Sequence, residues 1–269
     1  MLRNEGDRLT RVVVCSPKIE YFRVDDLKLH NITELSDPAK AIEQHDKLKS
    51  TMSEFGCQVI DIPELSNHPN SVFTMDTALC TPQGYIKLRM GLKTREGEEE
   101  WMAQHLETLG EPYAGCIEPP GTVEGGDVIL AGSVAFVGCS RRTNREGVRQ
   151  ISDLLKRMGY EVRVTTVPEP YLHIGGAMSM IGPERVLCCK GVFPDDFFNG
   201  FEKIEVSGDT FISGNVINLG ENEVIADIRN KEAIEKLEQA NFTIHALDLS
   251  EFVKGTGGPS CLIMPVERK

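Results

Sequence analysis

The chain has no C-x-x-C pair. Its eight cysteines, Cys15, Cys57, Cys80, Cys116, Cys139, Cys188, Cys189 and Cys261, are scattered, so spacing gives no sign of a zinc cage and no metal is expected. Most lie inside apolar runs such as Val12-Val13-Val14-Cys15. That is the habit of free thiols in a reducing compartment, and a cytoplasmic protein is expected. No apolar run approaches the ~20 residues of a membrane span, and Met1-Leu2-Arg3-Asn4-Glu5 lacks a signal-peptide core. Low-complexity tracts and long linkers are missing too, so one domain over 1–269 is expected. Positive charge is in deficit: 29 Lys and Arg stand against 41 Asp and Glu, a net charge of -12. This argues against nucleic acid or an anionic membrane as partner.

What is present is a rhythm. Short apolar runs alternate with amphipathic stretches. Arg11 to Ser16 reads as a buried strand. Asp37-Pro38 then opens a helix with Ala41, Leu48, Met52 and Phe55 on one face, ended by Gly56. Cys57 to Ile62 is the next strand. The same phrase returns with Ile151, Leu154, Leu155 and Met158 before Gly159 and the strand Tyr160 to Val164. It returns again with Ile234, Leu237 and Ala240 before Asn241 and the strand Phe242 to Ala246. Glu98 to Leu109 is a further helix, closed by Gly110. Hairpins lie between: Leu79 to Thr81 with Tyr85 to Arg89, Val128 to Leu130 with Val134 to Gly138, and Val216 to Leu219 with Glu223 to Ala226. A unit of strands, helix and strand recurs about every fifty residues, which suggests a circular or stacked α/β architecture. Alternation alone leaves a doubly wound sheet open as well. The unit from Val186 to Ile204 is the least regular.

The polar clusters sit beside turns. Asp76 lies in Phe73-Thr74-Met75-Asp76-Thr77-Ala78, where a carboxylate among apolar residues is costly unless paired. A turn aspartate or helix N-cap would use the same residue. Glu124 and Asp127 flank two glycines in Val123-Glu124-Gly125-Gly126-Asp127-Val128; glycines let a backbone approach a ligand closely, and the acids can bind a cation or orient a base. A tight hairpin entry with solvated acids is the plainer account. His173 enters the apolar segment Leu172-His173-Ile174-Gly175-Gly176, where a hydrogen-bonded core histidine would also fit. Arg142, in Gly138-Cys139-Ser140-Arg141-Arg142-Thr143-Asn144, precedes a helix. An arginine gains nothing from the dipole there, yet its fork suits a carboxylate. Finally, Gly257-Gly258-Pro259-Ser260-Cys261 delivers one thiol from an irregular loop at the start of Leu262-Ile263-Met264-Pro265. Such a thiol is either a small buried hydrophobe or a nucleophile.

In order and spacing, Asp76, Glu124-Gly125-Gly126-Asp127, Arg142-Thr143-Asn144, His173 and Gly257-Gly258-Pro259-Ser260-Cys261 resemble the guanidine-modifying superfamily of arginine deiminases, dimethylarginine dimethylaminohydrolases and amidinotransferases. Phe136 to Asn144 and Glu251-Phe252-Val253-Lys254 are most similar to dimethylarginine dimethylaminohydrolases. The resemblance implies a five-bladed α/β propeller of ββαβ modules with pseudo-fivefold symmetry. It implies a hydrolase that turns a guanidino compound into a ureido product such as citrulline plus amine or ammonia. The implied intermediate is a covalent thiouronium. By resemblance, Cys261 is the nucleophile, His173 the acid and base, Glu124 its orienting acid, and Asp76 the guanidinium anchor, with Asp127 beside it. Arg142 and Arg95 would hold the substrate carboxylate, with Arg89 as a second candidate. No cofactor is implied. The expected partner is a small guanidino molecule, with a homodimer as the candidate assembly. An amidinotransferase and a non-enzymatic propeller that binds a partner are the alternatives. Two positions depart from the family pattern. Asn70 stands where relatives acting on free amino acids have an Asp for the α-ammonium, and Met75 stands where dimethylaminohydrolases commonly have Glu. Gly175, where arginine deiminases have a second Asp, counts against that branch.

Overall fold

Each apolar run that follows a polar turn becomes the inner strand of a small sheet. The computed structural model describes residues 2–269. It contains five three-stranded sheets, and no larger sheet forms among the described residues. In four of them a hairpin is followed by a parallel outer strand. These are β3 (Ala78–Thr81), β4 (Gly84–Lys87) and β5 (Tyr113–Cys116); β6 (Val128–Ala131), β7 (Val134–Cys139) and β8 (Glu161–Thr166); β9 (Met178–Gly182), β10 (Arg185–Cys189) and β11 (Glu202–Val206); and β12 (Val216–Gly220), β13 (Glu223–Asp227) and β14 (Thr243–Leu247). The fifth joins the chain's two ends. β1 (Leu9–Cys15) pairs antiparallel with β15 (Met264–Arg268) and parallel with β2 (Gln58–Ile62). This is the five-bladed α/β propeller that the rhythm and the resemblance imply, and the doubly wound alternative falls away.

A parallel pair needs a crossover, and helices supply it in four blades: α1 (Pro38–Glu54), α2 (Glu98–Thr108), α3 (Arg145–Arg157) and α4 (Lys231–Gln239). Local signals set their starts. The Asp37 side chain accepts from the Lys40 N–H with Pro38 in the first turn, and Asn144 accepts from the Gly147 N–H. The irregular unit has no helix in its crossover. Gly191, Pro194 and Gly200 interrupt any helical period, and the segment fills its space with aromatics, the Phe193 and Phe198 rings lying 4.9 Å apart. Burial grades outward from the axis. The inner strands β3 and β6 are buried throughout, whereas the outer strands β8 and β14 alternate with solvent. No helix among the described residues is long and apolar enough to cross a membrane.

Candidate active site

Four of the polar residues singled out in the sequence share one position in the repeat: the turn that leads into an inner strand. Asp76 ends the single turn Thr74–Asp76 before β3. Glu124 caps the turn Gly125–Asp127 before β6. His173 caps the turn Ile174–Ala177 before β9, and Cys261 lies in the turn Pro259–Leu262 before β15. Since inner strands surround the axis, these turns converge. Asp76, His173, Cys261, Arg95, Arg142 and Asn70 all line one small cavity. Phe73, Leu172, Phe211 and Ile212 add apolar lining.

Glu124 does not line the cavity and is fully buried. Its carboxylate accepts from His173 Nε2 at 2.8 Å, from Arg142 Nη1 at 3.0 and 3.1 Å, and from the backbone N–H groups of Gly91 and Leu92 at 3.0 and 3.2 Å. Burial alone would raise its pKa. The Arg142 charge and the His173 hydrogen bond outweigh burial and hold the carboxyl well below the usual range. His173 is 5% exposed. Burial disfavours its protonated ring, but Asp76, Asp127 and Glu124 outweigh that and raise its pKa to about 9. Its Nδ1 stands 3.8 Å from Asp76 Oδ1. Gly126 permits this packing: a Cβ there would lie 2.8 Å from the imidazole and 3.0 Å from Asp76 Oδ1.

Asp76 is itself engaged. Its Oδ1 accepts the Gly126 N–H at 3.1 Å and its Oδ2 accepts Arg95 Nη1 at 2.6 Å. Cys261 is half-buried, and its Sγ accepts the Gly258 N–H at 3.4 Å. Burial, and then the Asp76 charge, push its pKa up to about 12, against smaller opposing effects of the Gly258 N–H and Arg95. With that shift Cys261 is a thiol at neutral pH. Carboxylate and imidazole atoms of Asp76, Glu124 and His173 lie within 4.8 Å of one another, close enough to surround a metal ion. Both carboxylates, however, already hold an arginine and backbone N–H groups.

Two of the expected substrate-binding residues do not line the cavity. Arg89 is not in the cavity wall. It follows β4, where Leu88 and Met90 take the buried face, and its guanidinium donates to the Gly121 carbonyl at 3.1 Å. Asp127 is not exposed to a ligand. It is fully buried, accepting Ser140 Oγ at 2.6 Å and the Ile174 N–H at 3.1 Å, and burial raises its pKa to about 6. It ties the Arg142 loop to the His173 turn. Arg95 lines the cavity, but its fork is spent on its own chain: Nη1 on Asp76, Nε on Glu98 at 2.9 Å, and Nη2 on the Phe73 carbonyl at 2.9 Å and on Glu98 at 2.7 Å. Arg142 differs. Only its Nη1 is committed, to Glu124, which leaves the rest of the fork for a ligand.

Two residues went unnoticed in the sequence. Asn215 precedes β12, the fifth inner strand. Its amide donates to the Gly175 carbonyl and to Ser260 Oγ, both at 2.7 Å, and accepts the Ser260 N–H at 3.0 Å, so it clamps the cysteine turn to the histidine turn. The position just before an inner strand was the available signal. Glu98 opens α2 and is fully buried. Its acidic neighbours Glu99 and Glu100 made it look like an ordinary solvated first turn.

The family model for eukaryotic N,N dimethylarginine dimethylhydrolase matches residues 25–268. The N(G),N(G)-dimethylarginine dimethylaminohydrolase of Pseudomonas aeruginosa is 30% identical over 226 residues, covering 84% of this chain and 88% of that enzyme. A crystal structure of a dimethylarginine dimethylaminohydrolase variant as its adduct with S-methyl-L-thiocitrulline superposes with a TM-score of 0.84 at 27% identity, over 95% of this chain and 99% of that one. A variant of the Pseudomonas aeruginosa enzyme complexed with citrulline gives 0.84 at 26% identity, over 96% and 99%.

Proposed function

The chain belongs to the dimethylarginine dimethylaminohydrolase family, and on that premise we propose that it hydrolyses the guanidino group of a small arginine-like compound to a ureido product such as citrulline, releasing an amine or ammonia. The observation that carries this reading is the meeting of Cys261, His173 and Asp76 in one cavity, from turns of three different blades, with Glu124 behind the histidine. A propeller that merely binds a partner has no use for that combination.

A guanidinium carbon is a poor electrophile because its charge is spread over three nitrogens. Asp76 fixes the cation, and Arg142 takes a substrate carboxylate with the free part of its fork. The bound cation offsets the burial and the Asp76 charge that keep Cys261 protonated. The thiol then loses its proton to solvent and attacks the guanidinium carbon. A C–S bond forms. His173, protonated at neutral pH because its pKa is about 9, gives its proton to the departing nitrogen as the C–N bond breaks. The amine leaves, and a thiouronium remains on Cys261. Water then attacks the same carbon, one proton passing to His173 and one to solvent. The C–S bond breaks, and the ureido product and free cysteine are left. Glu124 keeps the imidazole aimed throughout. All eight cysteines are free, in keeping with a reducing cytoplasm, and we read the chain as one catalytic domain closed by the β1–β15 pair.

The test is a screen of arginine, its methylated forms and N-acylated or deaminated analogues for ureido product, with Cys261→Ser as the control. Turnover of at least one compound that disappears in the variant is expected. No ureido product from any of them, or turnover that survives Cys261→Ser, would overturn the assignment.

A further inference from the structure

Glu98 is a buried ionisable group next to the cavity's Arg95 that the mechanism gives no task. Glu98 is fully buried at the first position of α2, a helix of eleven residues whose N-terminal end favours a negative charge. Its Oε2 receives both Arg95 Nε at 2.9 Å and Arg95 Nη2 at 2.7 Å, while the opposite corner of the same guanidinium reaches Asp76 Oδ2 at 2.6 Å. Arg95 thus lies between two carboxylates, and only Asp76 is exposed to the cavity. A guanidinium fixed against Asp76 alone would cancel the charge that a substrate guanidinium needs. The second carboxylate behind it restores that charge.

We propose that Glu98 is a positioning residue which holds Arg95 by its rear edge and supplies the negative charge that keeps Asp76 attractive to a cationic guanidine. The proposal rests on the hydrolase reading only in taking the cavity to be a guanidinium site. The charge that a guanidinium meets is then set along the line from Glu98 through Arg95 to Asp76, the carboxylate of that line which faces the cavity. Glu98 Oε1 has no hydrogen-bond partner, so the residue's polar contact is wholly with Arg95.

The test separates charge from shape. N-methylguanidinium and its neutral counterpart N-methylurea are titrated by NMR into Cys261→Ser protein, which cannot turn them over, with and without Glu98→Gln. At about pH 8.5, Glu98 is above the value of about 7 to which burial raises it and therefore carries its charge. One charge removed within about 10 Å of a poorly screened site is expected to cut the preference for the cation about tenfold, with methylurea affinity held within about twofold. Glu98→Asp keeps the charge and is expected to keep the preference within about threefold. It also serves if Glu98→Gln folds too poorly to titrate. Cation preference unchanged in Glu98→Gln, or lost in a folded Glu98→Asp, would overturn the role of Glu98 and leave the guanidinium site standing. No binding of methylguanidinium to the Cys261→Ser protein would overturn the site itself.

Discussion

Cys261 is expected to be a slow thiol until a cation sits beside it. Burial disfavours its thiolate, Asp76 adds to that, and the pKa rises to about 12. At pH ~7.5 the thiolate fraction is then roughly 3,000-fold below that of a cysteine with the ordinary pKa of about 8.5. A more basic thiolate is intrinsically the better nucleophile. With a Brønsted slope of about 0.45, the difference of about 3.5 pKa units returns a factor of ~40. The net expectation is a reaction on the order of 100-fold slower than that of an ordinary exposed thiol. The assay is the rate of mixed-disulfide formation with a small neutral disulfide, followed by peptide mapping so that Cys261 is read apart from the half-buried Cys116 and Cys139. The rate at Cys261 should climb about tenfold per pH unit past pH ~10 and level off only near pH ~12. Asp76→Asn removes the adjacent negative charge and leaves Arg95 in place, so it should speed the reaction at neutral pH. A plateau with a midpoint at or below pH ~8 in the ligand-free protein would refute the reasoning. It would mean that the resting site already holds a thiolate–imidazolium pair.

Two further predictions concern His173 and Asn70. The His173 pKa is raised from 6.5 to about 9 in the folded chain, so its contribution to stability is full below 6.5 and is lost as pH rises through about 9. Denaturant titrations of wild type and His173→Asn should differ by up to about 3 kcal/mol near pH ~6 and converge above pH ~9.5; a constant difference would remove the linkage. Asn70 lines the cavity with an unpartnered buried Oδ1, while its Nδ2 donates to the His30 carbonyl at 3.2 Å. Asn70→Asp should raise kcat/KM for guanidines with a free α-ammonium about tenfold relative to N-acylated ones, at a stability cost of about 1–2 kcal/mol from the lost His30 bond. An unchanged ratio would show that the substrate's amino group does not reach this residue.

How much of this was legible in the sequence follows from which forces are local. Helix starts are local: Asp37-Pro38 and Asn144 cap their helices as their types require. Inner strands read as apolar runs because both of their faces are buried. The helix-free crossover between β10 and β11 falls in the unit that read as the least regular, although nothing in the pattern gave its phenylalanine packing. Cys261, His173, Glu124 and Asp76 stood out because each breaks an apolar context next to glycine or a turn. Arg95 showed none of its contacts in the sequence, for a different reason. Its partners lie 19 residues before it and three after it, and an exposed loop arginine looks the same in sequence as a buried one. Asn215 carries no charge and lies in an unremarkable Ser-Gly-Asn stretch, so only the blade repeat could have pointed to it.

That repeat explains why the site can be so crowded with charge. Asp76, Glu98, Glu124 and Asp127 are four carboxylates in and around one small cavity, and like charges at such distances repel strongly in a poorly screened interior. On a single helix or loop the segment would have to fold against that repulsion. Here Asp76 and Glu124 enter from different blades, and each meets an arginine delivered by a connection between a blade's middle strand and its helix: Arg95 after β4 and Arg142 after β7. The two arginines occupy equivalent places in successive modules yet serve different ends. Arg142 keeps part of its fork open to the cavity, whereas Arg95 is closed off by Glu98. One repeated position, an arginine in the turn before the module's helix, thus holds one fork that is partly free and one whose three nitrogens are all engaged. The residue that makes the difference is the acid three positions after Arg95.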